Sequence, residues 1–253
     1  MSSKQKYLLI IGVSGSIASK LVEHFKSEYS IIGVTHRKVK NRDDYFSLYE
    51  DVDIRNISDF SKVCEDIVKH VPNLNGIIYA SGITLPGSIK DISVDDWNNS
   101  IDINLRGYWM TIKFLFDLIV KSKTSIVQIN SKTGKKGSFK NSAYTASKFG
   151  GIGLTQSMAL ELAETGARVN AICAGNVFES DTWSDPKKGL FVKYAQTQNS
   201  TPDKIREKYT NLVPMKRSCQ YQDIINVVEF LLSDKSSYMT GQAINVTGGQ
   251  QLY

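Results

Sequence analysis

YLLIIGVSGSIAS, residues 7–19, decides the fold. YLLIIGV (7–13) is a short run of large apolar residues and reads as a buried strand. It breaks at a turn made of glycine and serine. SIASKLVEHFKSE (16–28) then carries its apolar residues at helical spacing. A strand that turns through glycine into a helix leaves the helix N-terminus and its free N–H groups facing whatever lies above the strand.

Working outward, the same alternation recurs. SIIGVT (30–35) is a second strand and SLYEDVD (47–53) contains a weak third. DFSKVCEDIVKHV (59–71) is helical, NGIIYAS (75–81) a strand, and 93–121 reads as a helix pair. SIVQI (125–129) is the next strand, followed by the long helix AYTASKFGGIGLTQSMALELAE (143–164). ARVNAIC (167–173) and QAINVTG (242–248) are the last strands, separated by a polar segment (176–219) and the helix QDIINVVEFLLSD (222–234). Strands without polar alternation, each followed by a helix, predict an α/β chain with one doubly wound parallel sheet covered by helices on both faces. No linker or repeat interrupts it, so one domain over 1–253 is expected. The 176–219 segment, with Trp183, Phe191 and Tyr194, is expected to form a lid over the substrate.

The turn after the first strand is where a dinucleotide would sit. The full pattern there is G-x-x-x-G-x-G. Gly12 meets it, while Ser16 and Ala18 stand at the second and third glycine positions. Both are small; Ala18 still permits close helix packing, and Ser16 is expected to cap the helix. Ser14 and Gly15 leave room for a pyrophosphate to approach the backbone. At the end of the second strand, where a carboxylate would bond a ribose 2′-hydroxyl, stand His36 and Arg37. Basic groups there favour a 2′-phosphate, and hence NADP(H) over NAD(H). Asp53, after the third strand, is expected to accept from the adenine amino group.

SKTGKKGSFKNSAYTASK (131–148) supplies chemistry. Tyr144 and Lys148 are four apart and share one helix face. Ser131 stands just past the SIVQI strand. Together they can meet one substrate oxygen and move a proton at an alcohol or carbonyl. A free tyrosine, with a pKa of about 10, is a poor base at neutral pH. The Lys148 ammonium is expected to lower it. Tyr144 would be the acid in reduction and the base in oxidation, with Ser131 orienting the substrate oxygen.

The bulk numbers exclude other classes. An apolar content of 41% and a charged content of 22% are ordinary for a globular chain. No apolar run reaches the length of a membrane span. The net charge of +6 is spread along the chain without a basic aromatic run, so a nucleic-acid partner is not expected. Three scattered cysteines fit a reducing cytoplasm, and the three histidines form no metal pattern.

These features resemble the classical short-chain dehydrogenase/reductase family over essentially the whole chain. IDINLRG supplies Asn104 at the family's helix asparagine, completing a tetrad with Ser131, Tyr144 and Lys148. The resemblance implies a Rossmann-type fold, an alcohol–ketone oxidoreductase, and an asparagine carbonyl that holds water on a proton relay through the lysine. RVNAICAG matches the strand before the nicotinamide turn, with Ala174 where proline is usual, and MTGQAINVTGG matches the final strand. Further cofactor contacts are implied at Ile17, Ile54, Ala80, Ser81, Gly82, Gly175 and Val177. The family's N-N-A-G turn is YASG (79–82) here, so Ser81 and Gly82 must pack on the adenosine side.

INSKTGKKGS, SKFGGIGLTQSMALELAE and YMTGQAINVTGGQ are similar to sorbitol-6-phosphate 2-dehydrogenases, which implies a sugar or polyol phosphate substrate. Lys132, Lys135, Lys187, Lys188, Lys216 and Arg217 are the cations that could meet its phosphate. Those enzymes are expected to use NAD, at odds with His36–Arg37. An NAD-dependent sorbitol-6-phosphate 2-dehydrogenase and a non-catalytic dinucleotide-binding regulator therefore stand as alternatives, as does a cofactor-recycling epimerase or dehydratase of the family's extended branch. The helices at 102–121 and 143–164 look apolar on more than one side, and the resemblance implies a homotetramer.

Overall fold

The computed structural model describes residues 5–253. Its centre is a seven-stranded sheet in the order β3-β2-β1-β4-β5-β6-β7. The strands are β1 (Tyr7–Ile11), β2 (Ser30–Val34), β3 (Ser47–Tyr49), β4 (Gly76–Tyr79), β5 (Ser125–Ser131), β6 (Arg168–Ala174) and β7 (Ala243–Val246). Every pairing is parallel, as the unbroken apolar strands require. The order reverses direction between β1 and β4, the switch point at which α/β sheets of this kind open a crevice.

Each strand feeds both faces. Leu9, Ile11, Ile32, Val34, Ile77 and Ile126 pack on one side beneath α2 (Ile57–His70), α4 (Gly107–Phe114), α5 (Phe116–Ser122) and α6 (Ser142–Leu162). Leu8, Ile10, Ile31, Ile78, Val127 and Ile172 pack on the other beneath α1 (Ser16–Phe25) and α10 (Tyr221–Leu232). The alternation of neighbours to opposite faces is the period-two geometry of the strand. Each such side chain contributes about 1.5–3 kcal/mol on full burial.

The helix pair expected at 93–121 is more broken than its pattern indicates. α3 (Val94–Ile101), with Ser93 accepting from the Asp96 N–H at 3.0 Å, runs into a π-helical turn, Asp102–Arg106, and then α4. The Gly107 N–H reaches back five residues to the Asp102 carbonyl. That bulge rotates Asn104 to a fully buried position facing the carboxyl ends of the strands, a common device at functional sites. The chain breaks again at Leu115 before α5.

The polar segment 176–219 folds as α7 (Asp181–Ser184), α8 (Leu190–Thr197) and α9 (Pro202–Asn211). Phe178, Trp183, Leu190, Phe191, Ala195 and Ile205 give it a small apolar cluster of its own, with the Trp183 ring 5.1 Å from both Phe178 and Phe191. No helix among the described residues is long and apolar enough to cross a membrane.

Candidate active site

Four neighbouring strands, β1, β4, β5 and β6, end side by side, and their carboxyl ends carry Gly12, Ala80, Ser131 and Gly175. A cleft of about 610 Å³ opens there, lined by Gly12, Ser14, Gly15, Ser16, His36 and Arg37 on one side and Asp53, Ile54, Ala80, Ser81 and Gly82 on the other. It runs into a smaller pocket of about 150 Å³ lined by Ile17, Ser131, Tyr144, Lys148, Gly175 and Val177. Ala80, Gly82, Thr84 and Thr182 line both. Every residue expected to touch a cofactor, and three of the expected tetrad, thus border one continuous crevice; Asn104 lies beneath it.

The wall at β1 is built for close approach. Gly12 has φ +94°, and a Cβ there would lie 2.7 Å from Ser81 Oγ. Only glycine lets the two strand ends come together in that conformation. Gly15 is the residue before α1; its N–H donates to the Gly12 carbonyl at 2.9 Å, and a Cβ there would meet nothing but that carbonyl, at 3.3 Å. Thr35 is buried and donates to Ser14 Oγ at 2.7 Å while accepting the Arg37 N–H at 3.1 Å, which fixes the turn against the end of β2. A glycine cradle at the mouth of a helix, with a cleft of this size beyond it, fits a dinucleotide.

One expectation at this end needs correction. Ser16 does not cap α1: Gly15 is the N-cap residue and no side chain bonds the free N–H groups. Ser16 instead faces α7, donating to Asp181 Oδ2 at 3.1 Å and accepting the Asp181 N–H at 3.2 Å. Contacts of that kind join residues 165 apart and leave no trace in local sequence. Asp53 lines the cleft with its carboxylate partly exposed and already paired. Arg55 grips its carboxylate, Nε to Oδ1 at 3.0 Å and Nη2 to Oδ2 at 2.7 Å, and the hydrogen bonds from Arg55 hold the Asp53 carboxyl below its ordinary range. Arg55 Nη1 also donates to Asn99 Oδ1 at 2.5 Å. The pattern that marked Asp53 gave no hint of Arg55.

At the other end the geometry brings the expected groups together. Lys148 Nζ lies 5.6 Å from the centre of the Tyr144 ring and donates to the Ile129 carbonyl at 3.2 Å. Burial pushes the Lys148 ammonium down to about 8. Asn104 accepts the Ile83 N–H at 2.8 Å and donates to the Ile83 carbonyl at 3.0 Å and to Ser147 Oγ at 2.9 Å. It thereby ties the π turn to both the loop after β4 and helix α6. A Cβ on Gly82 would meet Asn104 Oδ1 at 3.4 Å and Lys148 Nζ at 3.6 Å, so Gly82 keeps the floor of the pocket open.

The expected lowering of the Tyr144 pKa is not found. Burial raises it, and hydrogen bonds with Ser131 and Thr84 act in the opposite direction without overcoming burial. The physical reason is that a buried phenolate loses its hydration, and a single ammonium that is itself desolvated does not replace it. Thr84, two residues beyond the YASG turn, was missed in the sequence; it adds a second hydroxyl beside the phenol.

Of the cations expected for a phosphate, Lys188 faces the larger cleft, beside Lys193. Lys216 donates to the Asn211 carbonyl at 2.9 Å and Arg217 pairs with Asp223 at 2.5 Å, so both are engaged elsewhere. Lys132 is half-buried next to Ser131, donates to Gln250 Oε1 at 2.6 Å, and is pushed down to about 8, chiefly by burial. Lys135 and Lys187 line neither cavity. Trp183, from the 176–219 segment, also lines the small pocket. Among the described residues no three metal-binding side chains converge.

Fold and site together define a dinucleotide-type α/β oxidoreductase. A family model described as enoyl-(acyl carrier protein) reductase matches residues 12–251. The sorbitol-6-phosphate 2-dehydrogenase of Escherichia coli (strain K12) is 42% identical over 179 residues, 70% of this chain and 68% of that protein. The 3-oxoacyl-[acyl-carrier-protein] reductase FabG of Thermotoga maritima is 28% identical over 98% of this chain and 99% of that one. The crystal structure of the sorbitol-6-phosphate 2-dehydrogenase SrlD from Erwinia amylovora superposes with a TM-score of 0.89 at 32% identity, covering 97% of this chain and all of that one. The chain belongs to the classical short-chain dehydrogenase/reductase family, whose members act as oxidoreductases on CH–OH groups.

Proposed function

We propose that this chain is an NADP(H)-dependent oxidoreductase that interconverts a secondary alcohol and a ketone on a sugar or polyol phosphate. The observation that carries the reading is the meeting of the Ser131, Thr84 and Tyr144 hydroxyls with Lys148 in one pocket, opening onto a cleft of dinucleotide size. A bound nicotinamide would supply or accept the hydride. The chain's own residues do the rest. Ser131 donates to the substrate oxygen and fixes its position. Tyr144, whose burial keeps it protonated at neutral pH, gives its proton to that oxygen in reduction. In oxidation the phenol must first give up its own proton, and the phenolate, favoured by the neighbouring hydroxyls and the Lys148 charge, then takes the proton of the substrate hydroxyl. Asn104 holds the π turn and the floor of the pocket in register with α6. The glycine cradle at Gly12–Ser16 and Ile17 would receive the pyrophosphate, Gly175 and Val177 the nicotinamide side, and Ile54, Ala80, Ser81 and Gly82 the adenosine.

NADP(H) is favoured by the exposed Arg37, which makes no ion pair among the described residues, while nearby Lys38 pairs with Asp51 and Arg42 with Glu50. The lid over 176–219 would close on the substrate through Trp183. The phosphate is supported by the name of the E. coli relative and by Lys132 beside Ser131. Trp109, Phe116 and Phe149 are each more than two-fifths exposed on α4–α6 and would be covered in a cytoplasmic homotetramer. One specific observation favours a second reading, an NAD-dependent sorbitol-6-phosphate 2-dehydrogenase: the 42% identity to that enzyme. Following nicotinamide absorbance with sorbitol 6-phosphate, other sugar phosphates, polyols and simple ketones, each with NADP(H) and NAD(H), tests both. Turnover of a polyol phosphate with NADP+ in preference to NAD+ is expected; a preference for NAD+ selects the second reading, and activity on none of the panel contradicts both.

A further inference from the structure

Asn130 precedes Ser131 on β5 and is 4% exposed. Consecutive strand residues point to opposite faces, so its amide points away from the Ser131 hydroxyl and lies with Gln128 beneath α6. Three hydrogen bonds hold it. Oδ1 accepts the Ser131 N–H at 2.6 Å, and Nδ2 donates to the Lys148 carbonyl at 3.0 Å and to Gln128 Oε1 at 2.9 Å. The partners fix the orientation of the amide, since an N–H needs an oxygen and a carbonyl needs a donor. Strand β5 therefore holds Lys148 at two points: its main-chain carbonyl at Asn130 and its ammonium at the Ile129 carbonyl, 3.2 Å away.

The surroundings are shaped to this amide. A Cβ on Gly134 would come within 2.8 Å of Asn130 Oδ1 and 2.9 Å of the Lys148 carbonyl. A Cβ on Gly151 would come within 2.9 Å of Asn130 Nδ2 and 2.7 Å of Gln128 Nε2. Gly151 lies inside α6, where glycine is among the poorest helix formers, and the space it leaves is filled by the two amides.

We infer that Asn130 is a positioning residue for proton transfer. It sets the separation between the serine at the end of β5 and the tyrosine and lysine on α6. Without it the Ser131 N–H loses its acceptor, and α6 loses the tie that keeps Tyr144 level with Ser131. The inference rests on the reading of Ser131, Tyr144 and Lys148 as the reacting groups, and misplacement on the order of 1 Å costs such a site about a hundredfold in rate.

The test compares Asn130→Ala, Asn130→Ser and Tyr144→Phe with the unaltered full-length chain. Sorbitol 6-phosphate with NADP+ and with NAD+ gives kcat, KM and the pH profile of kcat. Fluorescence titration gives the NADPH dissociation constant. The ring resonance of Tyr144 in tyrosine-labelled protein, assigned by its loss in Tyr144→Phe, reports the phenol's surroundings without any substrate. Asn130→Ala is expected to lower kcat about tenfold to a hundredfold, shift the pH profile and move the Tyr144 resonance, with the NADPH constant within twofold. Asn130→Ser, whose hydroxyl can still accept the Ser131 N–H, is expected to recover part of the rate, and it provides the same readouts if the alanine variant does not fold. A folded variant with unchanged pH profile and Tyr144 resonance overturns the inference, whatever its melting temperature. Should Tyr144→Phe retain turnover, the reading of the site fails first. If Tyr144→Phe is inactive while both Asn130 variants match the parent, the positioning role alone is wrong.

Discussion

At the scale of the residue, the decisive balance is between burial and charge in the Tyr144–Lys148 pair. Burial raises the phenol and pushes the ammonium down to about 8, so each group is held towards its neutral form. Tyr144→Phe removes the phenol proton that the proposed reaction passes to the substrate oxygen. Turnover is expected to fall about 10²- to 10⁴-fold, with the cofactor constant within twofold; steady-state rates and a fluorescence titration check both. The lysine makes a separate statement about stability. Between about pH 8 and its ordinary value of 10.5, the unfolded chain holds this proton more firmly than the folded one. Stability therefore gains as the pH rises through that window, and the cost, about 3 kcal/mol, is fully present below it. Lys148→Met is expected to melt higher than the parent at pH 7, with the gap narrowing towards pH 10.5. Thermal melts across that range check it, and a lower melting temperature at pH 7 would mean that the bond to Ile129 outweighs desolvation. The tyrosine, lysine and serine were legible in the sequence because their spacing is fixed by one strand end and one helix turn. Thr84 and Asn130 were not, because a hydroxyl or amide acquires its partners only when distant segments meet.

At the scale of the element, the 176–219 segment and the first helix meet beside the glycine cradle. Asp181 of α7 lies against Ser16 in the first turn of α1, a position that a helix N-terminus makes favourable for negative charge. A pyrophosphate in the cradle would have to share or displace it. Asp181→Ala is therefore expected to bind NADPH several-fold more tightly at low salt, by fluorescence titration; weaker binding would show that the carboxylate holds the lid in a competent position. At the end of β2, Arg37→Ala is expected to weaken NADPH binding about tenfold to a hundredfold, the worth of a charge-assisted hydrogen bond, and to leave NADH nearly unchanged. Equal losses for both cofactors would remove the 2′-phosphate contact. The segment 47–53 contains the weak strand expected there, and β3 takes only its first three residues, because an edge strand pairs on one side only and the chain beyond it turns to present Asp53. The π turn at Asp102–Arg106 escaped notice because its residues keep an ordinary helical pattern; only the hydrogen bonding differs.

At the scale of the whole molecule, the alternation of apolar strands and helices specified the parallel sheet, since strands buried on both faces can alternate with little else. Strand order is less visible, but the reversal between β1 and β4 follows from right-handed crossovers on both faces, and it puts the crevice where the glycine turn pointed. Trp109, Phe116 and Phe149 are large apolar side chains exposed on α4, α5 and α6. Phe116→Glu combined with Phe149→Glu is expected to yield smaller species by light scattering, while the parent runs as a tetramer; a parent that is already monomeric contradicts the assembly. The central claim is that the half-buried phenol of Tyr144, beside Ser131 and Lys148, exchanges the substrate's proton. The most direct measurement is the rate of nicotinamide absorbance change with sorbitol 6-phosphate and the other sugar phosphates, polyols and ketones, comparing the parent chain with Tyr144→Phe at equal cofactor saturation. The account predicts turnover by the parent and its near-complete loss in the variant, with cofactor still bound; equal rates in the two proteins would contradict it.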